Sequence, residues 1–260
     1  MSGCGSWYTG YMGIIAATLL GLIAGSFINA VVWRLHSGES IIYGRSMCPN
    51  CKHQLAAIDL IPVLSWVIQK GRCRYCKKPY GPHYLIVELA TAALFGFSVL
   101  LLQSIGLVSL GVWLAILVCV IILALYDAQW YELPNNVMHP ALVLAVIYFV
   151  LRFEGIESLI QLMVALAAGA VFYAAWWLSH GRLMGGADSK LVLLMGLVLA
   201  PKYLLLALAL GFMLGGVGAA YLLYGKTKGL HDQMPFGPYL IGGLVIAQFW
   251  GAVLLDILGF

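Results

Sequence analysis

Charge is what this sequence lacks. Only 9% of its 260 residues are Asp, Glu, Lys or Arg, while 63% are apolar; a soluble domain carries roughly 25% charged residues. That scarcity excludes a water-soluble globular protein and leaves an all-α polytopic membrane protein. No charged side chain precedes Arg34, so the basic n-region of a cleavable signal is missing and the first apolar stretch reads as a retained helix. A glycine-rich nucleotide fingerprint is also missing, and so is internal self-similarity. Cysteine is sparse, yet four of the six are paired.

A span needs roughly 20 apolar residues, and eight runs come near that: 11–33, 84–103, 107–126, 137–152, 158–178, 189–200, 202–224 and 236–257. The fourth carries Pro140 near its start and closes at Arg152. The sixth is cut by Pro201-Lys202, which predicts a tilted, broken or partly re-entrant segment. Gly211, Gly215, Gly216 and Gly218 would let helices approach closely, or serve as plain packing positions. Three parts are expected: a first transmembrane helix over 1–35, a loop over 36–83, and a seven-helix membrane core over 84–260.

Orientation follows from the cations. With eight spans and the N-terminus outside, one side receives Arg34, Arg45, Lys52, Lys70, Arg72, Arg74, Lys77, Lys78, Arg182, Lys190, Lys226 and Lys228. The other receives only Arg152 and Lys202, twelve against two. The 36–83 loop is therefore expected in the cytoplasm, and Asp127 and Asp188 fall on that same side.

The loop holds Cys48-Pro-Asn-Cys51 and Cys73-Arg-Tyr-Cys76, two CxxC pairs separated by 21 residues. Each pair can grip one edge of a tetrahedral zinc site, with Cys48, Cys51, Cys73 and Cys76 as ligands. A reducing cytoplasm disfavours disulfides, and reduced thiols without metal are the plainer alternative. A loop this short has too little core to fold firmly alone, which a metal would remedy. Cys4 and Cys119 lack paired spacing. His53 and His83 offer ligand atoms, but four thiolates complete the shell; His36, His139, His180 and His231 show no ligand spacing. The apolar segment Asp59 to Trp66 either packs on the zinc unit or lies at the membrane interface. Basic Lys70 to Lys78 reads as a flank near anionic membrane lipid rather than a nucleic-acid site.

Two carboxylates stand at the edges of apolar runs, where an uncompensated charge is costly and marks function. Asp127 ends one run. Asp188 follows Gly185-Gly186-Ala187 at the head of another, where an N-cap belongs. Two aspartates from separate segments, one beside glycines that leave room for an extended peptide, fit an aspartic-protease pair. In such a pair one carboxylate keeps a proton while its ionised partner activates water. The bland alternative is that each aspartate caps or begins a helix. Glu88, Asp59 and Glu132 either support the site or are solvated, while Glu154, Glu157 and Asp256 fall on the opposite face.

The residues then converge on a known pattern. Gly25-Ser26-Phe27-Ile28-Asn29 with Arg34-Leu35, the double CxxC loop around Asp59-Leu-Ile-Pro62, and Val87-Glu88-Leu89 are similar in order to the prepilin peptidases, or type IV leader peptidases. Asp127 with Leu133-Pro134-Asn135, then Gly185-Gly186-Ala187-Asp188-Ser-Lys190-Leu191 and Pro235-Phe236-Gly237-Pro238, extend that likeness across nearly the whole chain. The family's common form before its second aspartate is Gly-x-Gly-Asp; Ala187 departs from it. The resemblance implies a bacterial inner-membrane aspartic endopeptidase that cleaves prepilins or pseudopilins after a glycine on the cytoplasmic side. It implies Asp127 and Asp188 as the catalytic aspartates, and methylation of the new N-terminus by S-adenosylmethionine. By residue chemistry alone, Asn29 is a helix-packing residue and Arg34 a snorkelling anchor.

Two other readings compete. A transporter using the aspartates as a proton or ion relay predicts an inverted repeat and carboxylates near mid-membrane. A non-enzymatic assembly subunit docking through its zinc loop leaves both aspartates unexplained.

Overall fold

The computed structural model describes residues 4–41, 43–182, 184–224 and 234–259. Lys226, Lys228 and His231, and the side chain of Cys4, lie outside the described residues. Those described form helices α1 (Cys4–Ser37), α2 (Leu64–Ile68), α3 (His83–Leu101), α4 (Leu107–Trp130), α5 (Asn135–Leu151), α6 (Ile156–Leu178), α7 (Gly186–Val198), α8 (Pro201–Tyr224) and α9 (Gly237–Leu258). Among them there is no strand, only two isolated bridges.

Each of the eight apolar runs folds as a helix. Six are long and apolar enough to cross a membrane: α1 from Tyr11, then α3, α4, α6, α8 and α9. Two are shorter. Helix α5, with 17 residues, runs straight through Pro140. Helix α7 has 13 residues, about 20 Å at 1.5 Å per residue, against a hydrocarbon core of about 30 Å. Its length is set by Pro201, which opens α8 where a missing N–H costs nothing. Leu191, Val192, Leu194, Met195, Leu197 and Val198 are all buried, as they must be in a helix that is apolar all round.

The chain divides into two compact units, Met1–Ser104 and Ile105–Phe260. In the first, α1 packs along α3. A Cβ at Gly21 would lie 2.7 Å from Ala92 Cα, and one at Gly25 would lie 2.7 Å from Glu88 Cα. Two glycines one turn apart thus bring the backbones together, the small-residue packing of membrane helices. The Arg34 guanidinium donates to the carbonyl oxygens of Ile41 and Gly44 at 3.1 and 3.0 Å and fastens the start of the loop. Asn29 packs as expected, its Nδ2 donating to the Tyr84 carbonyl at 3.1 Å.

Within the loop, Asp59 is not solvated: its side chain is 1% exposed. Its carboxylate accepts from Ala56 N–H, Gln69 Nε2 and Tyr75 Oη, tying the Ala57–Leu60 turn to the second cysteine pair. Ile58, Ile61, Leu64, Val67 and Ile68 point outward instead of packing on the cysteine unit. Glu88 is buried too, and its Oε2 accepts from Val63 N–H at 2.7 Å.

In the second unit, α4 packs on α5 and α9, α7 on α5 and α6, and α8 on α9. Trp113, Leu123, Met138, Tyr148, Leu194 and Met195 fill its core. Three of the four glycines of α8 serve that packing: Gly211, Gly215 and Gly218 face Leu240, Phe236 and Tyr239 of the α9 segment, whereas Gly216 faces open space.

Candidate functional sites

The four cysteines converge. Their sulfurs all lie within 4.8 Å of one another, and Cys48 Sγ and Cys76 Sγ are 3.9 Å apart. A tetrahedral four-thiolate site with metal–sulfur bonds near 2.3 Å has sulfur–sulfur edges of ~3.8 Å, so the cluster fits a metal ion. The two pairs are built alike. Cys48 N–H donates to His53 O and Lys52 N–H to Cys48 O; Cys73 N–H donates to Lys78 O and Lys77 N–H to Cys73 O. Lys52 and Lys77, each following the second cysteine of its pair, adopt φ of 57° and 61°. The chain there doubles back, closing with the bridges Met47–Gln54 and Arg72–Pro79. Cys48 and Cys73 are buried and Cys51 is exposed.

Electrostatics divides the sulfurs. Burial pushes the Cys73 thiol up, but hydrogen bonds from the backbone of Cys76 and Tyr75 and from the neighbouring thiols outweigh it and bring it to about 7. At Cys51 a backbone hydrogen bond from His53 lowers the value, while desolvation and the thiols of Cys48 and Cys76 raise it to about 11. A metal would hold all four as thiolates. The histidines stay outside this set: His53 stacks on Tyr75 and His83 on Tyr84.

Both aspartates are buried in the second unit, Asp127 at the end of α4 and Asp188 at the start of α7. Asp127 is not beyond a span but in the last turn of α4, 5% exposed. The helix stops three residues later because Tyr131 takes the left-handed conformation, φ 59°, and its N–H closes on Asp127 O. Asp188, 6% exposed, is the third residue of α7 rather than its cap; Gly185 is the N-cap. Its carboxylate folds back to accept from Gly185 N–H at 3.1 Å, a favourable place for negative charge at a helix N-terminus. Asp127 Oδ2 accepts from Gly237 N–H, the first residue of α9, at 2.8 Å. Lys190 Nζ donates to Asn135 Oδ1 at 2.8 Å, so the first turns of α7 and α5 are pinned beside them.

Among the described residues, each carboxylate accepts through Oδ2 from the backbone N–H of a glycine. Ala187 lies inside the first turn of α7, where no positive φ is required, so a methyl group fits where glycine is common. Glu132 is exposed in the α4–α5 turn. The residue that sequence reasoning missed is Gly237: a Cβ there would sit 2.7 Å from Asp127 Oδ2. Its only signal was the Pro235-Phe236-Gly237-Pro238 motif.

Comparison with known proteins gives this arrangement a family. Residues 19–102 match the bacterial peptidase A24 N-terminal domain, and residues 114–220 match the type IV leader peptidase family. The prepilin leader peptidase/N-methyltransferase of Bacillus subtilis (strain 168) is 32% identical over 249 residues, covering 90% of this chain and 92% of that protein. The chain belongs to the type IV leader peptidase family. Proteins of the same name from Pseudomonas putida and Aeromonas hydrophila are 30% and 29% identical, over 95% and 90% of this chain and 95% and 89% of their own lengths. No solved structure matches the chain. Together, the apolar helices and the leader peptidase family make this a multi-pass inner-membrane enzyme. The transporter reading finds no support among these relatives.

Proposed function

We propose that this protein cleaves the short basic leader from type IV prepilins or pseudopilins after a glycine, using Asp127 and Asp188 as an aspartic dyad. Both carboxylates and the cysteine loop face the cytoplasm in this reading, which the twelve-to-two distribution of cations supports. One observation carries the dyad: two buried carboxylates, at the end of α4 and the start of α7, are each held by the backbone N–H of a glycine.

The pair holds one proton between its members. The ionised carboxylate takes a proton from water as the water oxygen attacks the scissile carbonyl carbon, while the protonated partner donates its proton to the carbonyl oxygen. Collapse of the tetrahedral carbon breaks the C–N bond, and the proton taken from water passes to the leaving amine. The backbone N–H groups of Gly185 and Gly237 fix Oδ2 on each aspartate, turning Oδ1 toward water and substrate. The relatives' names support a second activity, methylation of the freed N-terminus, for which we take S-adenosylmethionine as donor. Zinc is the metal the four sulfurs suit, and it serves the loop's fold. The outward Ile58, Ile61, Leu64, Val67 and Ile68, flanked by the basic Lys70–Lys78 stretch, rest against the membrane interface.

Detergent-solubilised protein incubated with a prepilin substrate tests the dyad. Asp127→Asn and Asp188→Asn should each abolish leader removal while leaving the thermal unfolding transition in place. Wild-type cleavage in either variant sinks the dyad.

A further inference from the structure

Where α5 and α7 finish, at the other end of α7 from Asp188, the second unit encloses a cavity of about 210 Å³. Tyr148 and Arg152 reach it from the end of α5, Glu154 from the α5–α6 turn, and Glu157, Ser158 and Gln161 from the start of α6. The short α7 accounts for the hollow. A helix about 20 Å long that starts at one face of a hydrocarbon core about 30 Å thick ends before the other face. Gln161 closes that end: its Nε2 donates to the carbonyl oxygens of Gly196 and Leu197 at 3.1 and 3.0 Å. These are among the carbonyls that a helix terminus leaves without partners.

The cavity carries charge of both signs. Arg152 is one of the two cations on the poor side of the twelve-to-two count, and it is held in place. Its Nη1 donates to Tyr148 Oη at 2.9 Å, and its guanidinium carbon lies 5.4 Å from the centre of that buried ring. The turn beyond it is set by Gly155 at φ 72° and by the buried Ser158, whose Oγ accepts from Glu154 N–H at 2.7 Å. That turn brings Glu154 and Glu157 to the same cavity as Arg152. Among the described residues, however, neither carboxylate pairs with the guanidinium; the ion pair found there is Arg74 with Asp59, in the first unit. Opposite charges around one hollow, beyond reach of each other, leave space for a group that carries both.

A guanidinium fork matches phosphate oxygens, and carboxylates accept from the three donors of an ammonium. Along the same two helices Leu151, Ile156 and Ile160 face outward, an apolar surface for lipid chains. We propose that this cavity binds the phosphoethanolamine headgroup of a membrane phospholipid. Arg152 takes the phosphate, Glu154 and Glu157 take the ammonium, and the acyl chains run along α5 and α6. Other headgroups fit less well. Phosphatidylglycerol leaves both carboxylates without a partner and repels them, and the quaternary ammonium of phosphatidylcholine has no N–H to donate. Bound there, the lipid ties the α5–α6 turn to the end of α7 and stabilises the folded chain by mass action.

Native mass spectrometry of the full-length protein in detergent tests this, with phosphatidylethanolamine, phosphatidylcholine and phosphatidylglycerol of identical chains titrated in turn. Wild type should bind phosphatidylethanolamine about tenfold more tightly than either of the others. The double variant Glu154→Gln/Glu157→Gln should lose the preference over phosphatidylcholine, and Arg152→Gln should weaken both of these lipids about tenfold. Glycerophosphoethanolamine, the same headgroup without chains, should not displace the lipid at equal concentration. Thermal unfolding shows whether each variant is folded. Equal wild-type affinity for the three lipids overturns the proposal with no variant needed. Displacement of the lipid by glycerophosphoethanolamine also overturns it, making this a site for a soluble zwitterion. An undiminished preference in the folded double variant, or wild-type affinity in folded Arg152→Gln, overturns the assignment of the charges.

Discussion

Gly237→Ala separates the fold from the chemistry. A Cβ built on Gly237 lies 2.7 Å from Asp127 Oδ2 and 3.3 Å from its Cγ, with Leu133 Cδ2 at 3.4 Å on the far side. Ordinary contact begins near 3.4 Å, so the carboxylate must retreat by about 0.7 Å. It can do so cheaply, because it is the free end of a side chain. Alanine is also a better helix former than glycine, by about 1 kcal/mol. The loss is one charge-assisted hydrogen bond, about 1.5–3 kcal/mol, partly offset by that propensity, and the protein should remain folded. Cleavage should not survive as well: a misplacement near 1 Å in a reacting group costs on the order of 100-fold. The assay is initial rate of leader removal from a prepilin in detergent, with thermal unfolding measured on the same sample. Gly216→Ala is the control, because nothing lies within 4 Å of a Cβ there. Wild-type cleavage by Gly237→Ala would refute the idea that Asp127 is held in register by the start of α9.

Two further outcomes follow from the loop. Purified protein should carry one zinc per chain by metal analysis, absent from the Cys48→Ser/Cys73→Ser variant and released on acidification as protons compete for the thiolates; active protein containing no metal would refute a zinc requirement. Val63 has φ 63° and ψ −53°, with Leu64 N–H donating to Pro62 O at 2.6 Å, a γ-turn of the rare, strained kind. Val63→Gly should relieve that strain, worth about 1–3 kcal/mol, against a glycine entropy cost of roughly 0.5–1 kcal/mol. A transition a few degrees higher in a detergent thermal-shift assay is expected, and a lower one would mean that the turn carries no strain.

Much of the fold was legible because lipid imposes a simple rule on sequence. Apolar runs must be helices, and each of the eight runs is one. The cysteine spacing was equally readable, since the ligands of each CxxC pair are local and only the meeting of the two pairs is tertiary. Asp59 and Glu88 were read less well. A carboxylate in a loop, or near the start of a span, looks solvated until its partners are known. Those of Asp59 come from Gln69 and Tyr75, and that of Glu88 lies 25 residues away at Val63. Asp188 shows the same limit on a smaller scale. A sequence places a carboxylate near a helix start, but only the hydrogen bond from Gly185 N–H fixes it within the first turn.

By itself, then, the sequence determined the class, the apolar runs that fold as helices and the paired spacing of four cysteines, and it singled out Asp127 and Asp188 as candidates, because each depends on composition or short-range spacing. The tertiary structure decided how those aspartates are held. Gly237 stands 110 residues from Asp127, and no local pattern records that its N–H holds the carboxylate or that its missing Cβ makes room for it. Tertiary structure also decided that α7 is a buried half-length helix, and that its far end shares a cavity with Arg152 and Glu157. Such facts depend on which surfaces meet, and helix packing settles that over distances where residue spacing carries no signal.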